Sequence, residues 1–121
     1  MPHDLKKSVW DALEACRMIQ EFTAGRTLAS YQADTMRHLA VERLFTILGE
    51  AFKRIDEAAP SFRAQFPETG KIIGTRNRVM HDYDSVDDDI LWLAVENQIP
   101  ALVNKLAAWL DEITTRNAPQ A

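Results

Sequence analysis

The sequence predicts an all-α fold, an antiparallel bundle of four main helices in which the last helix is kinked near Pro100. Apolar residues recur every three or four positions over most of the chain, and no segment shows the period of two that is typical of strands. Short links separate the apolar segments, and short links join antiparallel neighbours in helical bundles. The length of 121 residues fits one domain, which we place at residues 1–116, with residues 117–121 as a flexible tail.

Composition narrows the class of protein. The chain has 46% hydrophobic and 26% charged residues, a formal net charge of −4 and a single cysteine. The negative charge argues against a protein that coats nucleic acid by bulk electrostatics, although it permits an enzyme with a local basic patch. No apolar stretch reaches membrane-spanning length, no secretory signal is recognisable, and one cysteine cannot form an internal disulfide. We therefore expect a cytoplasmic protein, without a metal site or cofactor.

The first two helical segments are defined by their apolar stripes and their ends. The first covers about residues 4–23, and Gly25 is its stop signal. A link at residues 27–32 has room for one helical turn. The second segment covers about residues 34–57, with Asp34 as its N-cap.

The second segment ends at a proline. Its apolar stripe starts at Met36, and Pro60 cannot continue the helix. The stretch at residues 61–69 is expected to be a connecting loop that packs its two phenylalanines onto the core.

Two further segments complete the bundle. The third covers about residues 71–82. The fourth begins near Ser85, where Ser85 and Asp88 resemble a capping box and the acidic first turn suits the helix dipole. Pro100 should kink or split this helix near residues 97–99.

One polar constellation stands out on the third segment. Arg76 and His81 are five positions apart, which places them about 140° apart around a helix, and Asn77 lies four positions before the histidine. The three side chains can converge on one polar notch. Histidine exchanges protons near neutral pH, and the planar arginine fork fits phosphate oxygens. These are the groups that metal-free RNA cleavage needs: a base for the 2′-hydroxyl, a cation for the phosphorane and an acid for the leaving oxygen.

One copy of this motif supplies only one histidine. Two copies across a two-fold axis would supply two histidines and two arginines, so the chemistry favours a homodimer with a composite site. A structural interpretation competes with it and is favoured by the spacing alone: Arg76 pairs with Asp82 or another carboxylate, and His81 caps the end of its helix.

A resemblance to a known family favours the catalytic interpretation. The string at residues 76–83, RNRVMHDY, resembles the ribonuclease signature of the HEPN family, and Tyr83 two positions after His81 resembles its HepT branch. The segments at residues 47–51 (ILGEA), 72–74 (IIG) and 99–102 (IPAL) are also similar to that branch, so the resemblance covers nearly the whole chain.

The resemblance implies a function and a partner. Members of this branch are dimeric helical toxins that cleave RNA, with the motif arginine and histidine at the dimer interface; here these are Arg76 and His81. Their partner is an MntA-like minimal nucleotidyltransferase antitoxin, which can transfer AMP to the tyrosine that matches Tyr83. A bulky anion there would block a phosphate site. Asp82 stands where many relatives have glycine, and it would either orient the histidine or repel RNA.

Several residues outside the main motif also have an expected position or role. Glu50 and Arg78 are possible supporting residues, and for Glu50 we expect a solvated or ion-paired surface position rather than one in the polar cleft. His38 is expected on the solvated side of its helix, and Cys16 in the core. The three tryptophans are expected to be core or dimer-interface anchors; they are Trp10, Trp92 and Trp109.

Two other functions remain open. The first is a non-catalytic HEPN binding module that pairs with a nucleotidyltransferase or binds a nucleotide, which the acidic charge and Asp82 motivate. The second is a purely structural helical dimer, in which the polar motif forms an ion-pair cluster at the interface.

Overall fold

The computed structural model describes the backbone of residues 4–81 and 88–117 and, apart from residues 4, 78–81 and 117, their side chains. The described part is helical throughout and contains no strand, so the predicted all-α class is confirmed. The elements are α1 (Asp4–Thr23), α2 (Leu28–Ala33), α3 (Thr35–Ala58), a 3₁₀ turn (Pro60–Ala64), α4 (Thr69–His81), α5 (Asp88–Asn97) and α6 (Ile99–Asn117).

The predicted ends of the first helices are confirmed by their capping geometry. Gly25, just after α1, has a φ of +70°, a conformation that side chains disfavour and glycine adopts freely. The Asp34 carboxylate accepts a hydrogen bond of 3.1 Å from the backbone N–H of Arg37, so Asp34 is the N-cap of α3. The short link forms α2, which a reciprocal capping box between Thr27 and Ser30 begins.

The core lies between the long helices. Helix α1 packs against α3 on one side and α6 on another, and α4 packs on α3. The residues of the α1 stripe are almost fully buried, and Cys16 is among them as expected. Met36 does not extend the α3 stripe as predicted, because it is 84% exposed.

The loop after α3 packs its aromatic side chains as predicted, although its first part is a 3₁₀ turn. Phe62 and Phe66 are buried beside Phe52 of α3, with centroid distances of 5.7 Å and 6.1 Å in edge-on geometry. Trp109 of α6 stacks on Phe62 at 5.9 Å. This cluster fixes the loop that leads into α4.

The chain breaks its last helical segment where the proline predicts. Helix α5 ends at Asn97 and α6 begins at Ile99, with Pro100 in the first turn of α6, where its missing N–H costs nothing. The predicted cap Ser85 lies outside the described residues. Within the described ranges, none of the helices is long and apolar enough to cross a membrane.

Trp10 differs from the other tryptophans. Its side chain is 47% exposed, and the Lys7 ammonium lies 4.8 Å from the centre of its ring. The expectation that it belongs to the core is wrong, because no helix in the described part of the chain buries this side chain. The alternative, an anchor between two copies, stays a prediction. The other two tryptophans are partly buried against the core.

Candidate active site

Helix α4 carries the RNRVMH part of the motif. Lys71 to His81 are helical, so the positional argument from the sequence applies to the backbone: the motif arginine and histidine lie on one continuous helix. The side chains of Arg78 and His81 lie outside the described residues, as do Asp82 and Tyr83 entirely. The convergence of His81 with Arg76 and Asn77 therefore stays a prediction.

The Arg76 side chain packs against α3 at Gly49, which has no side chain of its own. A β-carbon built on Gly49 would be 2.2 Å from the Arg76 Cβ and 2.6 Å from its Cγ, far inside van der Waals contact. Any other residue at position 49 would push the two helices apart, because rotation of the arginine side chain does not move its Cβ. Gly49 thus allows α4 to approach α3 closely at the position of the motif arginine.

Two polar groups contact the end of the Arg76 side chain. Its Nη1 donates a hydrogen bond of 3.0 Å to the Oδ1 of Asn77, and its Nη2 lies 3.6 Å from the Oε1 of Glu50. Its Nε is buried and has no hydrogen-bond partner among the described residues. The Arg76 side chain is only 19% exposed, so it is held in place, but one of its donors is left unsatisfied by the described residues.

The ion pair answers the question about Glu50. Glu50 is ion-paired as expected, but the expectation that it lies away from the polar notch does not hold, because its partner is the motif arginine. Glu50 is one position after Gly49 on α3, so the same helix turn supplies both the space for Arg76 and the charge that faces it. Glu50 is therefore part of the polar site and not a bystander on the surface.

A second polar cluster lies between α2, α3 and the start of α5. The Nε2 of His38 is 3.1 Å from the Oδ1 of Asp88 and 3.5 Å from the Oε1 of Glu42, and its ring stacks on Tyr31 at 5.3 Å. The expectation that His38 lies on the solvated side is wrong, since these contacts bring it between three helices. The contacts with the carboxylates are ion pairs only when the imidazole is protonated.

Burial perturbs two groups of this cluster. Desolvation raises the pKa of the Tyr31 phenol, and the negative charges of Asp88 and Glu42 raise it further. Desolvation also raises the pKa of Glu42, partly offset by His38. The Tyr31 hydroxyl is fully buried and has no hydrogen-bond partner among the described residues. Within residues 4–81 and 88–117, no group of three or more histidine, cysteine or acidic side chains has a metal-binding arrangement.

Comparison with known proteins decides the family. The family described as ribonuclease HepT-like matches residues 12–108, which is most of the chain and includes the whole motif. The chain belongs to the HepT-like ribonuclease family. A protein from Methanocaldococcus jannaschii that is named as an RNase is 31% identical over 82% of this chain and 90% of its own length.

Two further relatives agree with this HepT-like assignment. A protein from Thermococcus cleftensis that is named as a ribonuclease HepT is 30% identical over 87% of this chain and 94% of its own length. A second RNase-named protein from M. jannaschii is 26% identical over 91% of this chain and 90% of its own length. No solved structure matches the chain significantly.

Sequence reasoning missed two features of this HepT-like chain. The contact between Gly49 and Arg76 was invisible because it joins residues 27 positions apart, although a glycine inside an apolar helix was a signal for a close approach. The His38 cluster was also missed, and the spacing of four between His38 and Glu42 was the available signal.

Proposed function

We propose that this chain is a metal-independent endoribonuclease that acts as the toxin of a toxin–antitoxin pair. The observation that carries the proposal is membership of the HepT-like ribonuclease family over residues 12–108, with Arg76 and His81 at the motif positions. The RNase names of its relatives agree with an RNA substrate.

In this mechanism Arg76 binds the scissile phosphate. The close fit on Gly49 and the contacts with Asn77 and Glu50 support this role, because a preorganised guanidinium needs no costly rearrangement when charge develops on the phosphorane. The phosphate takes hydrogen bonds from the guanidinium in competition with Glu50. The carboxylate thus weakens ground-state binding while it keeps the arginine extended.

His81 moves protons in the proposed mechanism. It takes the proton from the ribose 2′-hydroxyl, or gives a proton to the leaving 5′-oxygen, and the histidine of a second copy performs the other step. This division requires a homodimer with a composite site. Asn77 orients the guanidinium, Arg78 adds positive charge beside the motif, and Tyr83 is the residue that an MntA-like nucleotidyltransferase would modify with AMP.

The deciding experiment compares RNA cleavage by wild type, His81→Ala and Arg76→Ala in excess EDTA. The matched control is Arg63→Ala, which also removes an arginine paired with a carboxylate, here Asp56 at 2.7 Å. Arg63 lies in the 3₁₀ turn and not on the motif helix. We expect the wild type and the control to cleave, and both motif variants to lose cleavage. Equal cleavage by His81→Ala and wild type would refute the mechanism.

A second measurement tests the composite site. The specific activity per subunit should rise with protein concentration in parallel with the dimer fraction from analytical ultracentrifugation. Activity that is independent of the dimer fraction would show that one subunit is sufficient.

A non-catalytic binding module is the second candidate function, and one observation favours it. The Arg76 guanidinium already contacts two groups of its own chain, so it can serve to tie α4 to α3. A well-folded, unmodified, dimeric wild type that binds a nucleotidyltransferase but leaves RNA intact would support this candidate.

A further inference from the structure

A cavity of about 440 Å³ lies between α4 and the α5–α6 junction, on a side of α4 that Arg76 does not occupy. Its wall on α4 includes Lys71, Gly74 and Thr75, and its opposite wall includes Ile90, Leu93 and Gln98. We call it the α4–α5 cavity. Its volume is in the range of small-molecule sites.

The α4–α5 cavity lies along the same helix as the predicted catalytic residues. Thr75 in its wall directly precedes Arg76, and Gly74 is seven positions before His81. Seven positions are two turns of a helix, so positions 74 and 81 lie on the same side of α4, about 10 Å apart along its axis. A nucleotide next to the scissile phosphate can reach this distance.

The walls of the cavity combine apolar contact with unsatisfied polar groups. Leu93 is 57% exposed and stands beside Ile90, so one wall presents aliphatic side chains to the cavity. The Oε1 of Gln98 is buried and has no hydrogen-bond partner among the described residues. An amide oxygen removed from water without a partner is costly, and a turn of the Gln98 side chain toward the cavity would let this oxygen accept from a donor there and offset that cost.

Positive charge marks one edge of the cavity. Lys71 is exposed, and no carboxylate in the described ranges forms an ion pair with its ammonium group. Asn97, which is exposed, adds a second amide at the opposite wall. An aliphatic wall, two amides and a free ammonium fit a base with its attached phosphate, because glutamine and asparagine recognise base edges and lysine binds phosphate.

We propose that the α4–α5 cavity receives a nucleobase of the RNA next to the cleaved phosphate and favours a base that carries an exocyclic amino group. The amino group of adenine, cytosine or guanine donates to Gln98 Oε1, the base packs on Leu93 and Ile90, and Lys71 pairs with the adjoining phosphate. Uracil lacks an amino group and leaves the Gln98 oxygen unsatisfied. This inference rests on the proposed ribonuclease function, which it makes more specific.

Direct binding tests the cavity without requiring cleavage. The probes are short 2′-O-methyl oligonucleotides of adenine, cytosine or uracil, which have no free 2′-hydroxyl and stay intact, and the readout is fluorescence anisotropy. We expect the full-length wild type to bind the adenine or cytosine oligonucleotide about tenfold more tightly than the uracil one. Gln98→Leu should bring this ratio close to one.

The variants distinguish recognition from loss of folding. Gln98→Leu replaces a side chain that has an unsatisfied oxygen by an apolar one of similar size, so the melting temperature of this variant should equal or exceed that of wild type. Leu93→Ala should weaken binding of all three oligonucleotides. Its matched control is Leu39→Ala on α3, since Leu39 is 59% exposed and outside the cavity; this control should bind as wild type does.

Cleavage patterns separate this inference from the function on which it rests. In a mixed-sequence RNA the wild type should cut beside amino-bearing bases, and Gln98→Leu should spread its cuts over all four. If wild type cleaves with no base preference, or if the preference survives in Gln98→Leu, the cavity does not recognise a base, and the proposed ribonuclease function still stands. Base-selective binding that Gln98→Leu abolishes, in a protein that never cleaves RNA, would support the cavity and refute the ribonuclease. A change of oligomeric state in Leu93→Ala without altered RNA binding would identify the cavity as a contact between copies and overturn the proposal.

Discussion

Replacing Gly49 with alanine tests whether the fit between α3 and α4 positions the motif arginine. The new β-carbon would be 2.2 Å from the Arg76 Cβ, and real contacts of this kind are at least 3.0 Å. The α4 backbone must therefore retreat by 0.8 Å or more at Arg76, since a Cβ cannot rotate away. The perturbation is confined to the position that the proposed mechanism depends on.

The magnitude follows from two opposing effects. Alanine in place of glycine inside a helix stabilises by about 1 kcal/mol, and overpacking a closed contact costs about 1–3 kcal/mol. Gly49→Ala should therefore lower the free energy of unfolding by about 0–2 kcal/mol relative to wild type. Displacement of a catalytic group by about 1 Å can cost a factor of about 100, so we expect kcat/KM for RNA to fall between about tenfold and 100-fold.

The control is the same substitution at Gly70 of α4, where an added β-carbon meets nothing within 4 Å. Thermal unfolding and initial cleavage rates in EDTA are measured for Gly49→Ala, Gly70→Ala and wild type. Gly70→Ala should be as stable as wild type or slightly more so, and fully active. If the two variants have the same melting temperature and the same rate, the close fit is not what holds Arg76 in place.

Three further predictions concern the rest of the fold. Cys16 is buried and burial raises its pKa to about 12, so a thiol reagent should not modify it in the folded protein at neutral pH and should modify it fully in denaturant; rapid labelling of the native state would contradict this. The hydrogen bond from the Arg37 backbone N–H lowers the pKa of the Asp34 carboxyl, so the charged carboxylate stabilises the fold above the unfolded-state pKa, and this stabilisation is lost as the pH falls through the folded-state pKa. Asp34→Ala should therefore have a lower melting temperature than wild type at neutral pH, and this difference should vanish in acid. A difference in melting temperature that does not depend on pH would refute the charge effect. Tyr31→Phe removes a buried hydroxyl without a partner beside Asp88, so the melting temperature should hold or rise, whereas a large fall would mean that the hydroxyl is satisfied in solution.

Most of the fold could be predicted from local chemistry. Three helix ends that the sequence marked coincide with a residue that has a local reason to stop or start a helix: Gly25 through its positive φ, Asp34 through its side-chain hydrogen bond and Pro60 through its missing N–H. Such signals act within a few positions of the chain. They need no knowledge of what packs against the helix.

The misplaced residues depend on contacts between distant segments. Met36 and Trp10 have apolar side chains at plausible stripe positions, but within residues 4–81 and 88–117 no helix buries them. His38 has a polar side chain at a position that α2 and α5 do cover. Hydrophobic periodicity gives the apolar positions of a helix but not which of them a neighbouring helix covers, so the errors fall on positions whose burial depends on distant segments.

The candidate site follows the same rule. The motif gave the residue types on one helix, and Arg76 with Asn77 are neighbours in sequence and in space. The facing helix α3 completes the candidate site, because Gly49 allows the close approach of Arg76 and Glu50 supplies a carboxylate beside it. A motif on one helix does not reveal what the facing helix contributes; the glycine inside an apolar helix and the family resemblance at residues 47–51 were the two indications that this turn of α3 matters.

The ion pair with Glu50 complicates the interpretation of an Arg76→Ala variant. Arg76→Ala removes the cation and also leaves Glu50 without its partner, so a loss of cleavage would have two causes. Glu50→Gln separates them, because it keeps the size of the side chain and removes only the charge that competes with phosphate. If Arg76 binds the scissile phosphate, Glu50→Gln should tighten RNA binding and thus lower KM, while a less firmly held arginine lowers kcat. If Arg76 only ties α4 to α3, the same variant should lower the melting temperature and leave RNA binding unchanged, and the two patterns cannot be confused.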